Sequence, residues 1–322
     1  MFKISDIQGK KVLLRADLDL PLKDGRVDNN FRLQALVPTL TECLKYAQKT
    51  CLIGHLGRPE VQNDPSFSLV PVKEELERMI NQPISLIPSG FTPGDWWKGE
   101  SSLVMLDNLR YDPREESESP EFAHILASGA DVYIYDAFAT YRPCTSLSLI
   151  PEVLPTLTGL QFDKEISTLN KLLSNPNHPT LLIGSGAKPD KLALLNEIIP
   201  KFDTSFLGGV FASSENLASD GLDLSEKGLT EVLGLINNAQ TIVLNGPLGK
   251  YEDGIHNLAT KKVLEALTDP EKHTVLGGGD TVDAIPRLGF GYTQYGFVST
   301  GGGAMLEYLL AGTHPLLAIL KL

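Results

Sequence analysis

The chain has 322 residues, more than one hydrophobic core usually serves, so we expect two domains of comparable size. Apolar residues at 42% and charged residues at 21% are typical of a folded globular protein and exclude a disordered chain. A formal net charge of -12 disfavours nucleic acid and anionic membranes as partners, and three cysteines without a C-x-x-C pair disfavour a disulfide framework or a structural zinc site.

Short apolar, β-branched runs that end in Gly, Asp or Asn alternate with amphipathic stretches, a pattern that predicts parallel α/β sheets. In the first half the predicted strands are Lys11–Arg15, Lys49–Gly54, Ile84–Pro88, Ser102–Leu106 and Asp131–Tyr135. In the second half they are Thr180–Gly184, Ser205–Gly208, Thr241–Asn245, His273–Leu276 and Gly296–Ser299. Between the halves, apolar residues at helical spacing predict a joining helix over Phe162–Leu173, and the acidic tract Pro113–Pro120 (PREESESP) predicts a solvated loop. We therefore expect an α/β protein with two similar-sized domains, each a parallel sheet flanked by helices, joined by a hinge helix.

Nearly every predicted strand of the second half ends in glycine, and open parallel sheets bind ligands where their strands end. Glycine lets a backbone approach a ligand closely, and a helix that begins there directs free N–H groups toward an anion. Turn formation explains any one such loop, but five in succession favour a cradle for a nucleotide polyphosphate: Gly184–Lys188, Leu207–Gly209, Asn245–Gly249, Gly277–Thr281 and Ser299–Gly303. The dinucleotide fingerprint and the P-loop motif are both absent from the sequence, which disfavours an ordinary Rossmann or P-loop enzyme.

Asp280 follows three of these glycines. We interpret it as a contact for a Mg²⁺ ion that nucleotide phosphates also bind, since magnesium sites often use one carboxylate and substrate oxygens. A role as the N-cap of the next helix is compatible with this interpretation.

Eight of the nine arginines lie in the first half of the chain, and several of them follow its predicted strands. The planar guanidinium matches phosphate and carboxylate groups, so four of these arginines on one surface would bind a small acid that carries phosphate: Arg32, Arg58, Arg110 and Arg142. Asp17 and His55 follow the first and second strands and would orient the polar groups of that acid. A single arginine of this kind is ordinarily a surface residue, whereas four at comparable strand ends favour a function.

At these residues the sequence resembles the phosphoglycerate kinase family, and the resemblance runs through nearly the whole chain. Lys11–Gly25 (KVLLRADLDLPLKDG) resembles the opening signature of the family, and His55–Pro59 (HLGRP) matches a second motif. Further matches follow in the family's order: Asn108–Arg110, Asp136–Phe138, Asn245–Pro247, Gly277–Asp280 and Ser299–Ala304. The resemblance implies reversible phosphoryl transfer between 1,3-bisphosphoglycerate and ADP, which gives 3-phosphoglycerate and Mg-ATP in glycolysis.

The resemblance also implies a role for each matching residue. It places 3-phosphoglycerate on Asp17, Asp19, Arg32, His55, Arg58, Arg110 and Arg142. It places the nucleotide on Gly186, Lys188, Lys191, Gly208, Gly221, Leu222, Asn245, Pro247, Glu252 (the ribose), Gly279, Asp280 and Thr281, with Asp280 also toward Mg²⁺. The acid then belongs to an N-terminal domain of residues 1–158, on which the C-terminal segment 308–322 packs, and the nucleotide belongs to residues 159–307.

In such an enzyme the attacking group is a carboxylate or a phosphate oxygen, neither of which must lose a proton, so no general base is needed. Positioning and charge neutralisation must lower the barrier instead. We assign that role to Arg32, Lys188, Lys191, Gly279 and Gly302. Because the two ligands belong to separate domains, a hinge around residues 155–175 must bring them together.

The sequence departs from the family's pattern in four places. Asp19 stands where the family has Asn, and the family's His-Arg-x-His run is here Tyr141–Cys144 (YRPC). Lys188 and Lys191 are three residues apart, where the family spaces them four apart. Between Gly209 and Thr241 the family carries dozens more residues. Gly221–Asp223 still resembles the family's adenine-side Gly-Leu-Asp, so we expect the loss just before it, with an open sheet edge and a thinner adenine wall.

Three functions follow from these observations. An active phosphoglycerate kinase is the leading one; the shortened second domain and the lysine spacing motivate a weakly active or non-catalytic phosphate-ligand-binding homologue; the third is an acyl-phosphate kinase for another small acid. We expect small-molecule partners only, with neither nucleic acid nor a membrane, and a monomer. The sequence shows no membrane-spanning apolar run and no signal-peptide core at its start, which predicts a cytoplasmic location.

Overall fold

The computed structural model describes residues 2–90, 92–186 and 188–321, and the chain divides into two compact units. The first unit runs to Ile166 and takes up the chain again from Thr313, and the second unit is Ser167–Gly312. Ala187, which lies in the predicted loop Gly184–Lys188, is outside the described residues. The first boundary falls inside one long helix, so the chain passes from one unit to the other without leaving helical structure.

A parallel sheet of six strands forms the centre of the first unit, in the order β5-β6-β4-β1-β7-β8. Its strands and those of a small antiparallel hairpin, β2 with β3, are β1 (Lys11–Ala16), β2 (Leu22–Lys23), β3 (Arg26–Val27), β4 (Lys49–Ile53), β5 (Ser85–Ile87), β6 (Leu103–Leu106), β7 (Val132–Asp136) and β8 (Thr156–Thr158). The helices that precede the boundary are α1 (Ile4–Ile7), α2 (Phe31–Tyr46), α3 (Val70–Ile80), α4 (Pro120–Ala127), α5 (Thr145–Ser148), α6 (Ile150–Val153) and the boundary helix α7 (Leu160–Ser174).

The second unit is built on a parallel sheet in the order β10-β9-β11-β12-β13. Its strands are β9 (Thr180–Gly186), β10 (Thr204–Gly209), β11 (Thr241–Asn245), β12 (His273–Gly277) and β13 (Phe297–Val298). Its helices are α8 (Pro189–Ile198), α9 (Glu226–Asn238), α10 (Leu258–Ala266), α11 (Gly279–Arg287) and α12 (Gly302–Ala311), and α13 (Pro315–Leu320) follows in the first unit. Strands β10 and β13 lie at the two edges of this sheet.

The apolar pattern of the strands follows from their burial. Helices cover both faces of a parallel sheet, so its central strands are apolar throughout instead of alternating. Strands β4, β7 and β11 are buried at every position. In the first unit, apolar residues of α2 and α3 pack with β1 in one core: Leu33, Leu36, Leu40, Val72 and Leu76 against Val12 and Leu14.

The predicted fold class is confirmed: all ten predicted strands are present, each within two residues of its predicted ends, and both sheets are parallel. The joining helix is also present as α7. The sequence did not predict β8 or the two-residue strands β2 and β3, which are too short to show a periodic pattern. Among the described residues, no helix combines the length and the apolar character that crossing a bilayer requires.

The C-terminal segment of the first unit is anchored by a buried histidine. The His314 ring packs edge-on against Phe162 at a centroid distance of 4.9 Å and against Tyr141 at 5.0 Å. Its Nε2 lies 3.3 Å from the Phe138 carbonyl oxygen, and its Nδ1 accepts from the Leu316 N–H at 3.2 Å. Burial lowers the pKa of His314 to about 4, so the ring is neutral and serves as packing at neutral pH.

Candidate active site

The predicted acid-binding residues follow strands that are neighbours in the first sheet. Asp17 and Asp19 come after β1, His55 and Arg58 after β4, Arg110 after β6 and Arg142 after β7, and these strands lie in the order β6-β4-β1-β7. Because the strands are parallel, their carboxyl ends meet at one edge of the sheet. The fold therefore places these residues on loops at that edge, with Arg32 in the first turn of α2.

Direct contacts tie these loops together. The Asp19 carboxylate Oδ1 accepts a hydrogen bond from the Gly57 N–H at 2.8 Å, and the Arg110 Nη1 donates to the Gly57 carbonyl oxygen at 2.7 Å. The Arg32 guanidinium donates to the backbone carbonyl oxygen of Asp19. The backbone N–H and carbonyl groups of Gly57 thus link the loop after β1 to Arg110. The carboxylate of Asp19 points toward the arginines of this site.

The loop that follows β7 holds the carboxylate of Asp17. Its Oδ2 accepts from the Ala139 N–H at 2.9 Å, and its Oδ1 lies 3.4 Å from the Thr140 hydroxyl. Burial raises the pKa of Asp17, and the Arg32 charge opposes that rise. With two of its lone pairs already occupied, the carboxylate has a fixed orientation in which it can accept a further donor from a ligand.

His55 is a buried neutral imidazole at the centre of the cluster. Its Nδ1 lies 2.7 Å from the Arg15 Nη2, and its Nε2 lies 4.0 Å from the Asp19 Oδ2. Burial, followed by the positive charges of Arg15 and Arg110, and then of Arg32 and Arg58, holds the pKa of His55 well below its ordinary value. The site therefore presents positive charge through arginine alone, and the histidine contributes directional hydrogen bonding.

The structure brings six of the seven predicted acid-binding residues together through contacts or electrostatic interaction. Arg58 is exposed and acts on His55 by its charge. Arg142 is exposed two residues beyond Thr140, and within the described part of the chain its side chain forms no hydrogen bond or ion pair with the other six. Its neighbour Tyr141, where the family has His, donates its hydroxyl to the Thr313 carbonyl oxygen at 2.8 Å. The role of Arg142 stays a prediction.

The prediction of a solvated loop over Pro113–Pro120 is wrong for Glu115, whose exposed fraction is 2%. The Ser146 hydroxyl donates to its Oε1 at 2.6 Å, and its charge acts on the buried Arg15. Neither residue is among the site residues predicted from the sequence. The sequence nevertheless contains a signal for this pair, because an arginine inside a buried strand requires a buried acid as its counter-charge.

Glu116 is the other acid of this tract with a partner in the site. Its Oε1 lies 3.1 Å from the Arg110 Nε, and the Glu116 side chain is largely exposed. Burial lowers the pKa of Arg110, and the Glu116 and Asp19 charges oppose that shift. A ligand that pairs with Arg110 must therefore compete with an acid of the protein itself.

In the second unit the glycine-rich loops converge on Asn245, the last residue of β11. Asn245 pairs in register with Gly277, the last residue of β12, so the loops after β11 and β12 start side by side, and it pairs with Gly184 of β9, two residues before that strand ends. Its Nδ2 donates to the Gly302 carbonyl oxygen at 3.0 Å, and its backbone oxygen accepts from the Lys191 Nζ at 3.2 Å. The starts of α8, α11 and α12 therefore lie around one point at the end of the sheet.

Glycine is required at several of these positions by close backbone packing. A β-carbon at Gly302 would overlap the Gly278 Cα, and one at Gly208 would overlap the Leu248 side chain. Gly246 has a φ of +112 and donates its N–H to the Thr281 hydroxyl at 2.8 Å. By contrast, a β-carbon at Gly279 would meet open space. Contact between the Gly278 and Gly302 backbones thus brings the starts of α11 and α12 together.

The two predicted lysines differ in their surroundings. Lys188 is the exposed N-cap residue of α8, whereas Lys191 lies in the first turn and packs against Gly186. Burial lowers the pKa of Lys191 to about 8, and the Asp280 charge opposes that shift. Asp280 is exposed in the first turn of α11. Lys191 therefore carries most of its positive charge at neutral pH and begins to lose it just above.

The segment predicted for the adenine side lies beside the loop after β11. The Lys250 N–H donates to the Leu222 carbonyl oxygen at 2.8 Å, two residues from Glu252. His256 bridges two carboxylates, with its Nδ1 2.8 Å from the Asp253 Oδ2 and its Nε2 3.0 Å from the Asp220 Oδ2. Gly221, Leu222 and Glu252 are all exposed. Pro247, which the sequence also places at the nucleotide, accepts a hydrogen bond from the Ser185 hydroxyl at its carbonyl oxygen.

Within the described residues, no group of three or more His, Cys, Asp or Glu side chains could hold a metal ion. A single carboxylate, Asp280, fits a Mg²⁺ ion whose other ligands are nucleotide phosphates and water. A cavity of about 370 Å³ lies at the opposite, amino-terminal end of the second sheet, where its lining includes Lys171, Thr241 and His273. It is separate from the glycine-rich loops and does not bear on the nucleotide site.

Comparison with known proteins finds relatives over nearly the whole chain. The profile of the phosphoglycerate kinase family matches residues 2–218 and 212–312. The phosphoglycerate kinase of Aquifex aeolicus is 32% identical over 378 aligned positions, which cover 95% of this chain and 94% of that protein. That of Moorella thermoacetica is 30% identical over 384 positions, which cover 96% of each.

Solved structures give the same result. Phosphoglycerate kinase from Coxiella burnetii superposes with a TM-score of 0.79 at 25% identity and covers 98% of this chain and 97% of that one. The enzyme from Pyrococcus horikoshii has the same fold, with a TM-score of 0.87 at 22% identity and coverage of 100% and 98%. Two parallel α/β units, one with an arginine-rich strand edge and one with glycine-rich helix starts, define a two-domain phosphotransferase. The chain belongs to the phosphoglycerate kinase family.

The comparisons also bear on the length of the second unit. The alignments with Aquifex and Moorella exceed the 322 residues of this chain, so those relatives carry residues that it lacks. The match to the family profile breaks into two stretches that overlap at residues 212–218, between β10 and Gly221. This is the place where the sequence analysis expected the loss.

Proposed function

We propose that the protein transfers a phosphoryl group between 1,3-bisphosphoglycerate and ADP, reversibly, giving 3-phosphoglycerate and ATP. Family membership over nearly the whole chain supports this reaction. The structural observation that carries the proposal is the cluster at the end of the first sheet, where Arg32, Arg58 and Arg110 all act on the buried His55. Several guanidinium groups around one neutral donor suit a small acid with both carboxylate and phosphate groups.

The acid binds on the first unit in this proposal. The arginines at positions 32, 58, 110 and 142 pair with its carboxylate and phosphate oxygens, and Asp17, in its fixed orientation, accepts a hydrogen bond from its hydroxyl. His55 donates to an oxygen of the acid. Asp19 lies against the Gly57 N–H in the same pocket, so the protein places one of its own negative charges beside the ligand.

The nucleotide binds on the second unit. Its phosphates meet the N–H groups at the starts of α8, α11 and α12, where the positive ends of the helix dipoles favour an anion. Its adenosine lies toward Gly208, Gly221, Leu222 and Pro247, and Glu252 accepts from its ribose. Asp280 would hold the Mg²⁺ ion, which supplies charge neutralisation to the phosphates when it is bound.

In the forward direction a terminal oxygen of ADP attacks the acyl phosphorus of 1,3-bisphosphoglycerate. The new P–O bond forms as the bond from phosphorus to the acyl oxygen breaks, and the carboxylate of 3-phosphoglycerate leaves without proton transfer. The moving group carries its charge on its oxygens, so fixed cations and N–H donors lower the barrier. We assign this stabilisation to Arg32, Lys188 and Lys191 and to the backbone N–H groups of Gly279 and Gly302.

The reaction requires the two ligands to meet, so the proposal includes a hinge in the segment that joins the units. Helix α7 contains the boundary between them, and the chain returns after Gly312. Closure about these two connections would also exclude water from the phosphoryl group. We further propose that the protein acts as a monomer in the cytoplasm.

The alternative is a homologue that binds phosphate ligands with little turnover. The broken family match at residues 212–218 and the exposed position of Lys188 favour it. The third function, an acyl-phosphate kinase for another acid, would be favoured by Asp19, which changes the charge of the pocket.

A coupled assay separates the three functions. ATP formation is measured from ADP and 1,3-bisphosphoglycerate, and the reverse reaction is measured with 3-phosphoglycerate, glycerate or acetate as acceptor. We expect turnover of roughly 1–100 s⁻¹ with 3-phosphoglycerate and background rates with the other two acids. Background rates with every acid would support the alternative, and a preference for glycerate or acetate would support the third function. Arg110→Ala serves as the inactive control.

A further inference from the structure

Arg15 lies in β1, and its side chain is completely buried. In register it stands between Ile53 of β4 and Tyr135 of β7, one residue from the end of the strand. Its Nε donates to the Ser146 hydroxyl at 3.0 Å, and its Nη1 donates to the Ala16 carbonyl oxygen. A buried arginine with several directed hydrogen bonds has a fixed position, so its remaining N–H groups also have fixed directions.

Glu115 neutralises Arg15 and shares its anchor. The Ser146 hydroxyl bonds both side chains, since it accepts from Arg15 and donates to the Glu115 Oε1 at 2.6 Å. The Ser146 N–H donates to the Glu115 Oε2 at 3.2 Å. Burial lowers the pKa of Arg15, but the Glu115 charge and its other neighbours outweigh burial and raise it, so Arg15 remains a cation.

The contact between Arg15 and His55 determines which nitrogen of the imidazole carries a proton. The Arg15 Nη2 lies 2.7 Å from the His55 Nδ1. A guanidinium has donors only, so the Nδ1 facing it must be the acceptor. A neutral imidazole then carries its single proton on Nε2, and this nitrogen lies 4.0 Å from the Asp19 Oδ2, beyond hydrogen-bond length.

We propose that Arg15, held by Glu115 and Ser146, is a positioning residue that fixes His55 as the Nε2-protonated, neutral tautomer, so that its N–H is ready for an oxygen of the bound acid. The inference rests on the proposed function for the identity of that acid. It adds a buried support behind the binding residue: Glu115 holds Arg15, Arg15 orients the ring of His55, and the ring donates to the ligand. Without Arg15 either nitrogen could carry the proton, and a ring with its proton on Nδ1 would present a lone pair to an anion.

The same network keeps the ring uncharged near neutral pH. The charged groups that act on His55 are Arg15 from β1, Arg32 from α2, Arg110 from the segment after β6 and Arg58 from its own loop, with the Asp19 carboxylate from the loop after β1. Four cations against one acid oppose a further positive charge on the imidazole. We therefore expect no titration of His55 between about pH 5 and pH 8, the range in which an ordinary histidine changes charge.

The direct test is nitrogen NMR of the full-length wild-type protein, labelled at its histidines and free of substrate. The spectrum of His55→Gln assigns the signals of His55. We expect a protonated Nε2 and an unprotonated Nδ1, unchanged between about pH 5 and pH 8. A proton on Nδ1, or formation of the imidazolium in that range, would overturn the proposal. Because no substrate is present, this result is independent of whether the protein phosphorylates 3-phosphoglycerate.

Kinetics then test the consequence for the ligand. Arg15→Met removes every side-chain donor, whereas Arg15→Lys keeps a single donating group, the ammonium, and Arg26→Met, at the exposed position of β3, is the matched control. We expect Arg15→Met to raise KM for 3-phosphoglycerate about tenfold, to leave KM for ADP unchanged and to make the KM for 3-phosphoglycerate pH-dependent as His55 begins to titrate. Arg15→Lys should restore most of the affinity.

A merely structural role for Arg15 would give a different result, with a lower Tm but an unchanged pH profile and an unchanged KM, and it would overturn the proposal. If Arg15→Met does not fold, as judged by circular dichroism, Ser146→Ala replaces it, because that change loosens Arg15 without removing its charge. The nitrogen spectrum of that variant should then show a mixture of His55 tautomers. A spectrum identical to that of the wild type would again contradict the inference.

Discussion

Asp19 introduces a negative charge into a pocket that we expect to bind an anion. The carboxylate accepts from the Gly57 N–H at 2.8 Å, and Arg110 donates to the carbonyl oxygen of the same residue at 2.7 Å. It therefore lies in the site, at a half-exposed position where the family's pattern has the uncharged Asn. Its effect on the ligand is electrostatic, since like charges a few ångströms apart repel.

Asp19→Asn should lower KM for 3-phosphoglycerate about three- to tenfold, with little change in kcat, because the amide oxygen can still accept from Gly57 while the repulsion is lost. Steady-state kinetics at low ionic strength measures the effect, and added salt should reduce it. Asp24→Asn, in the exposed turn between β2 and β3, is the control. A rise in KM would show that the carboxylate assists binding.

Lys191 gives the reaction a pH dependence. Burial lowers its pKa to about 8, so the fraction that carries positive charge falls as pH rises through that value. If this charge stabilises the moving phosphoryl group, kcat falls above about pH 8. In Lys191→Arg the charge persists, so the fall should disappear even if kcat at neutral pH is reduced. A pH–rate profile measures both, with Lys201→Arg as control; an identical fall in Lys191→Arg would assign it to another group.

At the scale of elements, the starts of α11 and α12 pack backbone to backbone through Gly278 and Gly302. Gly302→Ala must separate the two helix starts, so we expect a loss of about 1–3 kcal/mol of stability together with weaker ADP binding. Gly303→Ala is a matched control, because it lies next along the same helix and a β-carbon there meets open space. That change should be neutral or stabilising by about 0.5–1 kcal/mol. Thermal unfolding and ADP titration measure both variants, and equal ADP affinity in the two would contradict this account.

The boundary helix α7 begins on a buried carboxyl group. The Asp136 Oδ1, at the end of β7, accepts from the Phe162 N–H at 2.7 Å, and burial raises the pKa of Asp136 to about 7. An unfolded Asp has the ordinary value of 3.8, so the folded state binds this proton more tightly. Stability from this group is therefore full below about pH 4 and is lost as pH rises toward about pH 7.

Asp136→Asn cannot titrate and should remove that loss. We expect its free energy of unfolding to vary less between about pH 4 and pH 7 than that of the wild type, by on the order of 1 kcal/mol or more. Urea unfolding at several pH values measures the difference. Parallel pH curves for the two proteins would show that Asp136 has no part in the pH dependence.

The strands could be predicted from the sequence because parallel strands buried on both faces are continuous apolar runs with defined ends. The three-residue strand β8 could not, because it is held by pairing with β7 rather than by a pattern of its own. The burial of Glu115 could not be predicted from the sequence either. Its tract reads as a solvated acidic run, and only the fold shows that one of its carboxylates is buried with Arg15.

On the scale of the whole molecule, the arginine-rich and glycine-rich strand ends could be assigned to different units from the sequence, because both features depend on chain order. The contacts that other segments make at these strand ends could not be predicted from the sequence. The Asp19 contact with Gly57 and the position of Lys191 against Asn245 depend on loop geometry that a single sequence does not encode in a readable pattern. The predicted contribution of Arg142 also depends on such geometry and awaits mutation.

In the proposed function, the acid binds to the first unit and the nucleotide to the second. Calorimetric titration of 3-phosphoglycerate and of ADP into the wild type, Arg110→Ala and Gly302→Ala tests it directly. Arg110→Ala should lose the heat of 3-phosphoglycerate binding and keep that of ADP, and Gly302→Ala should weaken ADP binding and keep that of 3-phosphoglycerate. If Arg110→Ala abolished ADP binding while 3-phosphoglycerate still bound, or if the wild type bound neither ligand, the claim would be contradicted.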